Sequence, residues 1–448
     1  MNATPMPSHS SNVVQSQAAI DSYAWIPQGR LIDPYFKLLL LVAPIQSILV
    51  TPVQGTTPAF VVIGGGLVIL AGTGRRYGRL WSMLLAFTLL YSIYMALSMS
   101  GYLIDQPDLS QLNVVRDVFI VGSLRQTHLT QGMYLLGPVL FCYLTYSFYQ
   151  EAFLKYAYYG ILILALYGFY EFVFYAIFHT NGDFLSNRDF GDLDKVSAGL
   201  GDNNEAGFVS GSLVQQSNLF GAGFMRLKSL VGEPSMYALT VTPFAVYAFV
   251  RRWRLIFGIL LLSLFMGGST TALLGLATGI GYAYTRQRQD AVLYIIAFLL
   301  VFTLLYFTTQ PVHDALDSVL FEKLNSVSGN QRSDLFMAHA HVVLDGNIVR
   351  TLFGLGFGTV RSTDMLSTML ANVGMVGFIL YSIILLAPCF LLQRKGDTDA
   401  IVGALLAVYF MEMITVPEYA YLPPWFMVSL GFARVRQQRR ALTWNAPL

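Results

Sequence analysis

Apolar residues in this chain are grouped into long runs that are separated by short polar connections. Uninterrupted apolar runs are typical of helices that cross a bilayer, whereas a soluble helix is apolar on one face only. The runs predict twelve helices, at about residues 36–53, 57–73, 79–99, 131–149, 155–178, 233–250, 254–269, 270–285, 290–309, 366–392, 398–415 and 422–435. A bilayer crossing needs about 20 apolar residues, so the seventh, eighth and twelfth are short.

The composition agrees with a membrane location. The chain is 55% hydrophobic and 12% charged, and its mean hydropathy is +0.56. Soluble domains carry about 25% charged residues, so this chain has roughly half of the usual solvating surface. The sequence therefore predicts an all-α polytopic membrane protein.

Basic residues are concentrated in the short connections and the tails, which contain 17 of the 27 Lys and Arg residues. Their positions are 74–79, 251–254, 286–289, 393–395 and 433–440, together with Arg30, Lys37 and Lys155. Because cytoplasmic connections are enriched in Lys and Arg, this distribution predicts that both termini are cytoplasmic. The number of spans is then even.

Three long segments, at about 100–130, 179–232 and 310–362, are predicted as extracytoplasmic loops within a transmembrane domain at 34–435. Residues 1–33 are predicted as a flexible cytoplasmic tail and residues 436–448 as a second one. The first span is expected to remain as an uncleaved anchor. Residues 111–124 have amphipathic spacing, which predicts either a helix on the membrane surface or a packed connector.

Two stretches next to the predicted loops carry clustered charge. "MRLKSLVGEPSMYALTV" (225–241) places Arg226, Lys228 and Glu233 at the start of an apolar helix. A capped span with a proline in its first turn and a carboxylate on its dipole is the structural alternative. The second stretch, 329–364, contains Arg332, the glycine-rich "LFGLGFG" (352–358) and Arg361.

The chemistry of these residues suits a phosphate ligand. Arginine binds phosphate oxygens through a planar, permanently charged fork. A glycine-rich loop can present backbone N–H groups to an anion, and Gly356 and Gly358 are its candidates, although a tight turn is the structural alternative. The loop lacks GKS or GKT, so it is not a P-loop. Arginines from separate loops would form a pyrophosphate site at headgroup depth.

The second half of the chain, about residues 225–435, resembles the O-antigen polymerase and ligase superfamily, which includes Wzy-type polymerases and WaaL-type ligases. The stretches that carry the resemblance are "RLKSLVGEPSMYA" (226–238), "GGSTTALLGLATG" (267–279), "RSDLFMAHAHVVLDGNIVRTLFGLGFGTV" (332–360), "LANVGMVGFILY" (370–381) and "PEYAYLPPWFMVSLGFA" (417–433). The first half is similar to this family in hydropathy alone.

The resemblance implies a GT-C-type glycosyltransferase of the bacterial inner membrane that uses no metal and no other cofactor. Such enzymes move a glycan from undecaprenyl pyrophosphate to an acceptor on the periplasmic side. Arg226 and Arg332 match the two family arginines and would clamp the donor pyrophosphate, with Lys228 and Arg361 as further ligands. A flippase and a chain-length regulator are the implied protein partners, and nucleic acid is not one.

The chain departs from the ligase pattern at one position. Ligases carry a histidine before the G-x-x-G span, and Ser362 occupies that position here, which favours a polymerase of lipid-linked repeat units. The general base is then unassigned among nearby titratable residues; we favour Glu233 and expect substrate-binding or structural roles for His339 and His341. A ligase that transfers glycan to lipid A core or protein is one alternative. A lipid-linked glycan flippase or transporter is the other.

Overall fold

The described residues are helical apart from one small hairpin and the connecting segments, which confirms the all-α part of the predicted fold class. The computed structural model describes residues 28–53, 55–71, 75–110, 112–115, 126–188, 216–219, 222–288, 290–310, 313, 327–393, 397–414 and 418–444. The helices in these ranges are α1 Gln28–Val42, α2 Pro58–Ala71, α3 Arg75–Ser100, α4 Gln126–Phe148, α5 Leu154–Phe178, α6 Pro234–Val250, α7 Arg254–Gly267, α8 Thr270–Gln287, α9 Ala291–Thr308, α10 Val327–Leu344, α11 Ile348–Phe353, α12 Met365–Leu391, α13 Asp397–Ile414 and α14 Leu422–Trp444. The hairpin pairs β1 (Gln216–Leu219) with β2 (Ala222–Met225).

Each of the twelve predicted helices overlaps an observed one. Among the described residues, three helical segments are long and apolar enough to cross a membrane, namely Gly78–Leu103, Glu151–Phe178 and Met365–Leu391. Shorter apolar helices include Pro58–Ile69, Pro234–Val250 and Arg254–Gly267. These apolar helices indicate a membrane protein, and the total of twelve crossings stays a prediction.

Helix α6 lies at the centre of the bundle and is buried along nearly its whole length. It packs against α7, α8, α13 and α14. Helix α8 approaches α13 closely because Gly279 and Gly403 face each other; a Cβ on Gly279 would lie 2.8 Å from the Gly403 carbonyl oxygen. Small residues that let helix backbones approach are common where membrane helices pack.

The first predicted span differs from the structure, because α1 ends at Val42 and residues 43–57 form an irregular segment. Pro44 explains the end of the helix, since a proline disfavours helical geometry in the residue before it. The backbone N–H groups of Gln46 and Ser47 donate to the Leu230 carbonyl at 2.9 and 3.0 Å. Both side chains are buried, so the protein supplies the polar partners that irregular backbone requires in an apolar environment.

The connections gather at two ends of the bundle. The long-loop end contains residues 43–53, 55–57, 179–188, 226–233, 354–364 and 418–421. The short-loop end contains residues 149–153, 251–253, 288, 290, 392–393 and 397, and the ion pairs Arg251–Asp397 and Arg434–Glu151 hold it together.

Two predicted tail boundaries and one predicted amphipathic segment lie next to residues that the structure does not describe. Helix α1 begins at Gln28 and α14 continues to Trp444, so the predicted tail boundaries at 33 and 436 lie inside helices, and the remaining tail residues lie outside the described ranges. Of the amphipathic segment 111–124, the structure describes residues 112–115, where Val114 forms an antiparallel bridge with Val360. Residues 116–124 lie outside the described part.

Candidate functional site

The segment 226–233, which we call the anchor segment, is wedged between three parts of the bundle at the long-loop end. The Leu227 N–H donates to the Met266 carbonyl at 3.1 Å, next to the junction of α7 and α8. The Ser229 hydroxyl donates to the Leu164 carbonyl of α5 at 2.6 Å. The anchor segment is therefore held firmly, and Ser229 adopts a positive φ of 52° to make these contacts.

Arg226 lies at the edge of this segment. Its Nε donates to the Gly267 carbonyl at 3.1 Å, and the side chain is half-buried. The carbonyl that it contacts ends α7, where Gly268 has a positive φ and leads into α8. The guanidinium is thus oriented by backbone at a helix junction, which is the type of support that a ligand-binding arginine requires.

Lys228 is buried in an ion cluster with two carboxylates. Its Nζ lies 3.0 Å from Asp183 and 3.9 Å from Glu171, and all three side chains have no exposed surface. Glu171 of α5 also accepts the Ser229 N–H at 3.0 Å. These contacts tie α5, residues 179–188 and the anchor segment together, so the structure gives Lys228 structural partners. Its predicted role as a substrate ligand stays a prediction.

Asp183 has the donors that a buried carboxylate needs. Burial alone would raise its pKa, but the Lys228 ammonium and hydrogen bonds from Ser186 hold the pKa at about 2. The Tyr167 hydroxyl also donates to it, at 3.1 Å. Asp183 is therefore ionised at neutral pH and forms the charged counterpart of Lys228.

Glu233 occupies the N-cap position of α6 without a side-chain capping hydrogen bond, and Pro234 occupies the first helical position. The Ser235 hydroxyl donates to one oxygen of the Glu233 carboxylate. Glu233 is half-buried, and a carboxylate at this position is stabilised by the helix dipole. The alternative that the sequence offered, a span with a proline in its first turn and a carboxylate on its dipole, is thus observed, and Ser235 contacts one of the two carboxylate oxygens.

The glycine loop (residues 352–358) packs on a break in α12 at Gly374, which has φ 59° and ψ −168°. The break releases the carbonyls of Ala371 and Asn372, and these accept the N–H groups of Leu355 and Gly356 at 2.8 and 2.9 Å. Three loop glycines, Gly354, Gly356 and Gly358, have positive φ. The loop conformation is therefore dictated by its contact with α12.

The Asn372 side chain fixes the next part of the loop. Its Oδ1 accepts the N–H groups of Thr359 and Val360 at 2.8 and 3.0 Å, and its amide nitrogen donates to the Val360 carbonyl at 2.7 Å. The N–H groups of Leu355, Gly356, Thr359 and Val360 thus all have protein partners. The loop matches the structural alternative of a tight turn, and the roles of Gly356 and Gly358 in anion binding stay predictions.

Arg361 follows this loop and forms an ion pair with Glu418, which precedes α14. The Arg361 Nε is buried and has no hydrogen-bond partner among the described residues. A buried N–H without a partner costs about 1–3 kcal/mol, so this donor would be satisfied by an incoming acceptor. The guanidinium combines a fixed orientation with one unused donor.

Arg332 and His339 lie on α10, seven residues apart and therefore on the same helical face. The Arg332 side chain lies outside the described part of the structure. His339 is fully buried, and its Nδ1 lies 2.7 Å from the Leu335 carbonyl, so Nδ1 carries the proton. Burial lowers its pKa below the ordinary value, although the Leu335 carbonyl and the Asp364 carboxylate oppose that shift.

His341 has a different environment from His339. Its ring is exposed at the surface, and its Nδ1 lies 2.8 Å from the Asp345 carboxylate. Asp364 caps the N-terminus of α12 and accepts hydrogen bonds from the Ser367 N–H and from the Ser362 hydroxyl. Ser362, at the position of the ligase histidine, is therefore part of a helix cap.

Tyr421 connects the two sequence motifs. Burial raises the pKa of its hydroxyl. The hydrogen bond to Thr240 and the charge of Arg188 lower this pKa, whereas the charges of Glu418 and Glu233 raise it. The Tyr421 hydroxyl also donates to the Met236 carbonyl of α6 at 3.4 Å, and its N–H donates to the Glu418 carbonyl at 3.0 Å. We call Glu233, Arg361, Glu418 and Tyr421 the rim cluster, because it joins the start of α6 to the segment after the glycine loop.

Sequence reasoning missed Asp183, Asn372, Glu418 and Tyr421. Each acts through a partner more than ten residues away, such as Lys228 or Arg361, which local patterns do not reveal. The polar "NGD" turn (181–183) and the carboxylate in "PEY" (417–419) were the available signals. Within the described residues, no group of three or more His, Cys, Asp or Glu side chains is placed to hold a metal ion.

The comparisons with known proteins leave the family open. The chain matches no protein-family model, and a search of curated proteins also finds no match. The resemblance to the O-antigen polymerase and ligase superfamily therefore stays a prediction from the motifs alone.

Proposed function

We propose that the protein is a polymerase of lipid-linked oligosaccharide repeat units, located in a bacterial inner membrane. In this proposal twelve helices cross the bilayer in a GT-C-like bundle, and the long-loop end faces the periplasm. The predicted distribution of Lys and Arg supports this orientation, because residues 251–254, 286–288 and 434–440 belong to the opposite end.

The observation that carries the proposal is the rim cluster with the buried, unused Nε of Arg361. Charged residues from the start of α6, the segment after the glycine loop and the start of α14 meet at one end of an apolar bundle. A pyrophosphate headgroup at that depth would accept a hydrogen bond from Arg361 while its lipid tail remains among the apolar helices. A soluble anion would not require a site with this placement.

The proposed reaction is an inverting glycosyl transfer. The hydroxyl at the non-reducing end of one lipid-linked unit attacks the anomeric carbon of another unit. The new C–O bond forms as the bond to the pyrophosphate oxygen breaks, and the electron pair of that bond leaves with the carrier lipid pyrophosphate. Arg226 and Arg332 would offset the charge that develops on this leaving group.

The proton of the attacking hydroxyl requires an acceptor, and two residues are candidates. His339 has an Nε2 that is buried without a hydrogen-bond partner among the described residues, but its side chain is fully enclosed. Glu233 is half-buried and retains one carboxylate oxygen that Ser235 does not contact. Because Glu233 is half-buried whereas His339 is fully enclosed, we assign Glu233 as the base.

The first test replaces the two arginines. We expect Arg226→Ala and Arg332→Ala each to leave single repeat units on the carrier lipid, because the leaving group loses a charge-assisted contact; a rate loss of about 10²–10³-fold is typical for such a donor. Lipid-linked glycans from cells and from reactions of purified protein with defined donor would be resolved by length. Arg254→Ala is the matched control, since Arg254 is exposed at the short-loop end.

The outcomes separate the proposed polymerase from its alternatives. Long chains from both arginine variants would contradict the assignment of the site. Polymer that accumulates on carrier lipid in a deletion strain, with none on the final acceptor, would indicate a ligase. Movement of lipid-linked glycan across a liposome membrane without bond formation would indicate a transporter.

A further inference from the structure

A pocket of ≈ 560 Å³ opens at the short-loop end, on the opposite side of the bundle from the rim cluster. It lies between the turn that joins α6 to α7, the end of α8 and the start of α13. Its lining includes Arg252, Trp253, Arg288 and Asp399. Volumes of 300–1,000 Å³ are typical of small-ligand sites, and this pocket carries groups of both charge signs.

One wall of the pocket is already paired. Arg251 forms an ion pair with Asp397 in the first turn of α13. Its guanidinium also lies 5.8 Å from the centre of the Trp253 ring. This ion pair joins the turn after α6 to the start of α13, so the charges of Arg251 and Asp397 are already matched.

Two further arginines line the pocket without such partners. Arg252 and Arg288 are exposed, and neither forms an ion pair with a described residue. Arg252 has a φ of 60°, a conformation that costs a non-glycine residue about 1–2 kcal/mol. A glycine would adopt this φ without strain. We therefore attribute the arginine at this position to its cationic side chain.

Asp399 supplies the opposite charge. Its Oδ1 is buried and has no hydrogen-bond partner among the described residues. The dipole of α13 favours a carboxylate in the first turn, but the dipole does not provide a donor for this oxygen. A cationic N–H group in the pocket would do so.

We propose that this pocket binds the phosphoethanolamine headgroup of a membrane phospholipid. Arg252 and Arg288 hold the phosphate, and the Asp399 carboxylate, which lines the pocket, turns toward it and accepts a hydrogen bond from the ammonium. Phe249 and Leu255, at the ends of the flanking helices, are exposed apolar side chains over which acyl chains would lie. The proposal does not depend on the function proposed for the rim cluster.

The chemistry distinguishes this headgroup from its two nearest relatives. Phosphatidylcholine has the same phosphate, but its quaternary ammonium carries no N–H group for Asp399. Phosphatidylglycerol has the phosphate but no cation, so its headgroup would leave the carboxylate unpaired and repelled. Binding through basic residues alone, which is common at this kind of membrane rim, would instead favour phosphatidylglycerol.

The test uses the full chain in phosphatidylcholine bilayers that contain an equal minor fraction of phosphatidylethanolamine or phosphatidylglycerol. Lipids that remain bound after extraction are counted by native mass spectrometry. We expect phosphatidylethanolamine to be retained over both other lipids by at least about fivefold, as for one charge-assisted hydrogen bond. Soluble glycerophosphoethanolamine should compete weakly, because it lacks the acyl chains.

Three variants complete the test. Asp399→Asn should remove the preference for phosphatidylethanolamine, and Arg252→Gly should weaken retention while leaving the melting temperature equal or higher. Arg254→Gln is the control that should change neither, since it is exposed outside the pocket lining. Equal or greater retention of phosphatidylglycerol by the native chain, or an unchanged preference in Asp399→Asn, would overturn the proposal.

Discussion

The ammonium of Lys228 lies 3.0 Å from the carboxylate of Asp183, and neither side chain is exposed. Lys228 belongs to the same short segment as Arg226, which contacts the α7–α8 junction. The buried pair therefore fixes the anchor segment against residues 179–188, and Glu171 fixes it against α5. A cation that the sequence places beside a phosphate site has, in the folded protein, a carboxylate partner from the protein itself.

We expect Lys228→Met to destabilise the protein strongly, because it leaves Asp183 and Glu171 buried without a cation. Removing one partner of a buried ion pair costs about 3–5 kcal/mol. Thermal unfolding of the detergent-solubilised chain measures the loss. Lys155→Met is the matched control, since Lys155 is exposed and its ammonium lies over the ring of Tyr156. Similar melting temperatures for the two variants would contradict a structural role for the buried cluster.

Helix positions could be predicted from the sequence because each helix is encoded by its own local run of apolar residues. Helix α6 is an example: it was expected at 233–250 and observed at Pro234–Val250. Residues 43–53 were mistaken for helix because they are nearly as apolar as the segment before them. Their irregular backbone depends on Leu230, which is far away in sequence and accepts their N–H groups.

Gly354→Ala should prevent normal folding or cost more than about 2 kcal/mol, because a positive φ and a close contact combine at that position. Its φ is 72°, and a Cβ there would lie 2.5–2.6 Å from backbone atoms of residues 372–374. Yield and thermal stability give the readout, and Asn372→Ala tests the neighbouring contact by removing the side chain that accepts the Thr359 and Val360 N–H groups. Gly281→Ala is the control, with nothing within 4 Å of its Cβ; an equal loss there would refute this explanation.

His339 should make the protein sensitive to mild acid. Burial lowers its pKa in the folded state, so the unfolded chain binds a proton more readily than the folded one. The stability that neutral His339 allows is therefore fully present above its ordinary pKa of about 6.5 and is lost as the pH falls below that value. Melting temperatures measured from about pH 7.5 to pH 5.5 should show this decline.

His339→Leu should reduce the acid-induced decline in melting temperature by roughly half or more, since the side chain no longer titrates. His341→Leu is the matched control on the same helix, because its ring is exposed. An unchanged decline in the His339 variant, or an equal reduction in the His341 variant, would show that another group causes the acid sensitivity.

The candidate site was only partly predictable, and the reason is visible at Arg361. The sequence indicated that this arginine was a ligand candidate because it follows a glycine-rich loop and a guanidinium binds phosphate oxygens. It could not indicate Glu418, which lies 57 positions away and approaches Arg361 through the packing of α12, α13 and α14. A charged residue can be recognised from the sequence around it, whereas its ion-pair partner depends on how the helices pack.

Arg361 has two expected roles, and a charge-reversal cycle separates them. Arg361→Glu and Glu418→Arg should each lower stability by about 1 kcal/mol, because the pair is partly exposed and each single change places like charges together. The double variant restores an ion pair, so its melting temperature should recover. Its polymerisation should remain lost, because the cation is no longer at the position where we propose that it contacts the donor pyrophosphate.

The Arg434–Glu151 pair at the short-loop end is the matched control for this cycle. It is also partly exposed, and it lies far from the rim cluster, so reversal of both charges should restore stability and chain length together. Lipid-linked glycans resolved by length, with melting curves of the same preparations, provide both readouts. If the Arg361–Glu418 double variant recovers long chains along with its stability, Arg361 acts only as a structural partner and the donor site must lie elsewhere.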